Sequence, residues 1–135
     1  MRRRPVESIE YGVGRYLDQP YETALPHVVE ALKTEGFGVV TEIDVRETMR
    51  EKLGVDVTPH TILGACNPEL AHAALQVEPD LGVLLPCNVV VYATPRGTRV
   101  TAVNAGAMLG MVGNPALERI AAEVGRRLDR VLESL

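Results

Sequence analysis

The sequence predicts an α+β fold, an antiparallel sheet covered by helices, and three observations carry that expectation. Residues 88–94 and 98–104 flank Thr94-Pro95-Arg96-Gly97, whose proline and glycine suit a reversing turn, so the two runs form an antiparallel hairpin. After Asn114-Pro115, the residues Leu117, Ile120, Ala121, Val124, Leu128, Val131 and Leu135 recur at helical spacing, giving one long amphipathic helix. The order between these and the N-terminus is strand, helix, then strands with short helical excursions, as in a two-layer domain.

Residues 8–17 begin by alternating, with Ile9, Tyr11 and Val13 on one side, which describes a half-buried strand. Asp18 can cap the helix that follows. Its apolar stripe is Leu25, Val28, Val29 and Leu32, and Gly36 ends it. Residues 37–45 (FGVVTEIDV) form a second strand, and residues 46–53 a short polar helix stopped by Gly54. In a third strand, His60–Cys66, the residues His60, Ile62, Gly64 and Cys66 share one face, and Gly64 leaves room beside the cysteine. Asn67 and Pro68 then cap and open a helix whose apolar side is Leu70, Ala71, Ala74 and Leu75. Pro79 to Gly82 breaks the pattern, and residues 105–113 (AGAMLGMVG) are expected to be a small, flexible, apolar loop.

A chain of 135 residues fits one domain, with residues 1–6 a flexible terminus. Hydrophobic residues make up 46% but aromatics only 4%, so the core is aliphatic and base-stacking recognition is disfavoured. The net charge is −4, and the basic residues do not gather on one face apart from the tip Arg2, Arg3 and Arg4, so no nucleic-acid partner is expected. No apolar run reaches the roughly 18 residues that span a bilayer, and no signal-peptide segment opens the chain. A cytoplasmic protein with two reduced cysteines and no membrane partner is the expectation.

The candidate site rests on ILGACNPELAHAAL and LLPCNVVVY, which hold both cysteines, each followed by an asparagine. Cys66 stands just before a helix start, where backbone N–H groups and the positive dipole end favour a thiolate. Cys87 follows Pro86 and shares a face with Val89 and Val91, and both thiols can equally be small buried hydrophobes closing the end of the sheet. Asn67 and Asn88 offer amides to a polar ligand, although capping already explains Asn67. Met108, in the apolar loop, can close over a ligand. These five, Cys66, Asn67, Cys87, Asn88 and Met108, are the ligand-binding candidates, with Cys66 and Cys87 the catalytic ones.

His60 lies six residues from Cys66, about 20 Å along a strand, too far for proton transfer. His27 and His72 sit on helices and face solvent. A metal site would need Cys66, Cys87, His60 or Met108 to converge, and no C-x-x-C spacing is present, so no metal is expected and no cofactor is indicated. Glu42, Asp44 and Glu47 match neither paired glycosidase carboxylates nor a calcium loop.

The segments EALKTEGFGVVTEIDV, ILGACNP and LLPCNVVVY, with the late GNP before the last helix, resemble the family of bacterial and archaeal proteins called domain of unknown function 302, over nearly the whole chain. The resemblance implies a TATA-binding-protein-like β-α-β4-α topology in a homodimer, and it transfers no catalytic residue. Three functions follow as expectations. The first is a small-molecule binding module with its pocket near the two cysteines. The second is a thiol enzyme or sulfur carrier with Cys66 as nucleophile and Cys87 as resolving partner. The third is a structural homodimer module in which Met108 and Met111 make the contact.

Overall fold

The computed structural model describes residues 4–135. Arg2 and Arg3 of the arginine tip lie outside the described residues, as do the first three positions of the terminus expected to be flexible. Six strands form one antiparallel sheet: β1 (Glu7–Ile9), β2 (Gly12–Leu17), β3 (Gly38–Asp44), β4 (His60–Cys66), β5 (Cys87–Thr94) and β6 (Gly97–Val103). Their order across the sheet is β1-β2-β6-β5-β4-β3. With β1 as an added edge, the main path is the β-α-β4-α order: α1 (Tyr21–Thr34) joins β2 to the far edge strand β3, and α5 (Glu118–Ser134) follows β6. Short helices interrupt the path, namely α2 (Val45–Leu53), α3 (Pro68–Val77), a 3-10 turn (Pro79–Leu84) and α4 (Ala105–Gly110).

The strand period of two decides which face is buried. Leu17, Val100, Ala102, Val89, Val91, Leu63 and Ala65 belong to the core, together with Val28 and Leu32 of α1 and Val124, Leu128, Val131 and Leu132 of α5. Each valine and leucine among them is worth about 1.5–3 kcal/mol in burial relative to exposure. The opposite face carries the intervening residues Tyr16, Thr101, Val103, Val90, Tyr92, His60 and Ile62, which are only half-buried. A smaller cluster, Ala74, Leu81, Leu109, Leu117 and Ala121, fills the space among α3, the 3-10 turn, α4 and α5.

Four local expectations are corrected. Residues 8–17 are not one strand but a tight hairpin, with Ile9 opposite Gly12; Tyr11 sits in its turn and is 75% exposed. Asp18 does not cap α1, whose first N–H groups bond Pro20 O; it pairs with Arg4 at 2.6 Å instead. Residues 105–113 are not all loop, because the Asn104 side chain accepts the Ala107 N–H at 3.0 Å and so caps α4. Gly64 leaves room not for a cysteine but for its neighbours across the sheet, since a Cβ there would stand 2.7 Å from Pro86 Cγ and against Thr41. At the end of α1, Gly36 takes φ 83°, the Phe37 N–H returns to Leu32 O at 3.0 Å, and the Phe37 ring enters the core.

Candidate functional site

β4 and β5 pair so that Ala65 lies opposite Cys87, which brings both cysteines to the same end of the sheet. Asn67 ends β4 and starts α3, its Oδ1 accepting the Leu70 N–H at 3.2 Å. Pro68, with no N–H of its own, opens the helix. The chain then crosses α3 and the 3-10 turn and re-enters the sheet through a cis Leu85-Pro86 bond. Between this excursion and the sheet lies a cavity of about 320 Å3.

Cys66, Asn67 and Cys87 all line that cavity. Leu70, Ala71, Ala74 and Leu75 of α3 supply one wall, Leu81 and Leu85 close it, and Leu109 of α4 with Ile120 and Val124 of α5 form its back. These last three come from more than twenty residues away, and nothing local in the sequence ties them to the cysteines. Asn88 is not part of the wall and is exposed; alternation from Cys87 turns it to the other face. Met108 is not part of it either, and packs against both hydrophobic clusters.

The two thiols differ. Cys66 is partly exposed and Cys87 buried, and neither is in a disulfide. Burial, with a smaller contribution from the neighbouring Cys66, pushes the Cys87 thiol up to about 11. Cys87 therefore stays protonated at neutral pH. No histidine joins the pair: His60 stacks on Tyr92 with ring centroids 5.1 Å apart, and burial lowers its pKa. His27 lies 3.2 Å from the Gln19 side-chain amide, and His72 lies 3.3 Å from that of Gln76. The Asp44 carboxylate caps α2 by accepting the Glu47 N–H at 2.9 Å. Among the described residues no group of three His, Cys, Asp or Glu side chains is placed to hold a metal ion.

One arrangement escaped the sequence reading. Register puts Tyr16, Arg99, Tyr92 and His60 in one row across four strands on the half-buried face. Arg99 lies 4.7 Å and Arg96 4.2 Å over the Tyr16 ring, and Arg99 is 3.8 Å from the Glu7 carboxylate. Gly14 makes the space, since a Cβ there would lie 2.7 Å from the Arg99 guanidinium. An arginine amid the apolar residues of β6 was the available signal.

The fold and the positions of ILGACNP and LLPCNVVVY now have a counterpart among known proteins. The family model described as domain of unknown function DUF302 matches residues 14–135. The chain belongs to the DUF302 family. It is similar to a crystal structure of an uncharacterized conserved DUF302 protein from Bacillus stearothermophilus, with TM-score 0.83 and 34% identity, covering 90% of this chain and 95% of that one. No curated protein matches the chain. The match begins within β2 and takes in β3 to β6 and all the cavity residues, so the cavity lies wholly within the family region. No helix among the described residues is long and apolar enough to cross a membrane.

Proposed function

We propose that this DUF302 protein is a binding module for a compact, largely apolar small molecule held against Cys66, Asn67 and Cys87. The observation that carries it is the cavity: about 320 Å3, walled by hydrocarbon and two thiols, and within the ~300–1,000 Å3 range of small-molecule sites. A thiol enzyme or sulfur carrier has less support, because a resolving Cys87 is only 7% exposed and remains a neutral thiol at physiological pH. The neutral fluorophore N-phenyl-1-naphthylamine is expected to bind saturably at one site per chain; fluorescence that rises without saturation contradicts the proposal.

We also infer a homodimer in the cytoplasm. Two free cysteines suit a reducing compartment. One face of the sheet lacks a covering layer, and Ile9, Ile43 and Met111 are 40%, 47% and 70% exposed. Met111 remains available for contact, whereas Met108 is engaged in packing. Light scattering at micromolar concentration is expected to give twice the chain mass, and a monomer mass refutes the dimer.

A further inference from the structure

We infer that the uncovered face of the sheet holds a second site, for a small oxyanion of the phosphate class, centred on the Arg99 guanidinium. Arg99 lies opposite Tyr92, and Tyr92 opposite His60, at the end of β4 and β5 away from the cysteines, so the site is separate from the cavity. The Arg99 side chain is only 8% exposed. Its Nη1 is buried without a hydrogen-bond partner. Among the described residues the one carboxylate within 4 Å is that of Glu7, at 3.8 Å, beyond hydrogen-bond reach. A cationic donor in this state has given up its water for nothing of equal strength, and an acceptor that arrives with negative charge restores the loss.

The surroundings turn this donor into a site. Tyr16 pairs with Arg99 across β2 and β6 and holds the guanidinium 4.7 Å from its ring centroid; contact with a π face anchors the cation by its charge and consumes no N–H group. Gly14 withholds a side chain beneath it. The place a Cβ would take there lies 2.7 Å from Arg99 Nη2 and 2.5 Å from Thr101 Oγ1, so a hydroxyl of β6 stands beside the guanidinium as a second donor. The local charge is positive on a chain whose net charge is −4. Arg4 is answered by Asp18 at 2.6 Å, but Arg96, 4.2 Å over the same Tyr16 ring, is exposed and pairs with no carboxylate among the described residues. β4, β5 and β6 contain no acidic residue. Glu7 is the competitor: it sits half-exposed on the three-residue edge strand β1, and its carboxylate contends with an incoming anion for the same guanidinium.

Inorganic phosphate is the probe, titrated by calorimetry at constant ionic strength so that general screening does not vary. The native protein is expected to bind one phosphate per chain. Glu7→Gln removes the competing charge at a half-exposed position and is expected to bind phosphate about fivefold tighter. Arg96→Ala, also at the surface, is expected to bind it about threefold more weakly. Arg99→Gln is expected to lose at least about tenfold. Circular dichroism establishes that each variant is folded, and the opposite signs of Glu7→Gln and Arg96→Ala keep the test decisive if Arg99→Gln does not fold. A guanidinium that serves packing alone gives no such signs. No saturable binding to the native protein or to Glu7→Gln overturns the inference, as does Glu7→Gln affinity no greater than native, Arg96→Ala affinity no weaker than native, or a folded Arg99→Gln that binds phosphate as the native protein does.

Discussion

Gly97→Ala is expected to cost about 3 kcal/mol and to lower the unfolding midpoint by roughly 10 °C. Gly97 closes the β5–β6 hairpin at φ 108°, a backbone conformation that a residue with a side chain rarely adopts. A Cβ there also collides with the carbonyl oxygen of Leu17 on β2. Neither strain can relax easily, because Leu17 pairs with Thr98 and is itself core. Gly125→Ala is the matched comparison. Gly125 lies within α5, its Cβ would meet nothing within 4 Å, and alanine there is expected to stabilise by about 0.5–1 kcal/mol. Thermal unfolding of the two variants checks both signs at once, and equal midpoints contradict the account of the hairpin.

The second large effect is alkaline. Cys87 folds as a neutral thiol raised from an ordinary 9.0 to about 11. The protonated form is favoured more in the folded than in the unfolded chain. The stability linked to that difference is fully present below pH 9 and is lost as pH rises through 11. A shift of that size corresponds to on the order of 2–3 kcal/mol. Urea unfolding between pH 8 and 12 is expected to show the stability difference between the native protein and Cys87→Ala shrinking by about that amount. A pH-independent difference contradicts the burial of the thiol. Iodoacetamide gives the companion result: one cysteine, Cys66, labels in the folded protein, and Cys87 follows only on unfolding.

The elements that could be read from sequence are those whose signal is local. Asn67-Pro68 and Asn114-Pro115 announce helix starts because the cap and the missing N–H act within one turn, and both asparagines accept backbone N–H groups as expected. The 88–104 hairpin is legible for the same reason, its turn residues lying between its strands. The β1–β2 reversal is not, because the alternation of Ile9, Tyr11 and Val13 runs on through the turn. α4 is hidden by glycine, whose low helix propensity is outweighed by the Asn104 cap and the burial of Ala105 and Leu109.

The candidate site divides along the same line. Cys66, Asn67 and Cys87 meet because adjacent strands end there, and strand ends show in the sequence. Asn88 does not join them, since the alternation that sets Cys87 with Val89 sends Asn88 to the other face. Leu109, Ile120 and Val124 join the wall only through the packing of α4 and α5 against the excursion 68–84, and no spacing in the chain encodes that contact.

The central claim is that the space beside the cysteines receives a ligand, and binding of N-phenyl-1-naphthylamine to the native protein and to Ala71→Trp tests it most directly. Ala71 lines the cavity and is only partly buried, so an indole at this position of α3 can occupy the cavity without displacing the core. The native protein is expected to bind the fluorophore, and Ala71→Trp, folded by its circular dichroism, to bind it at least tenfold more weakly. Equal affinity in the two proteins would place the bound fluorophore elsewhere and contradict the claim.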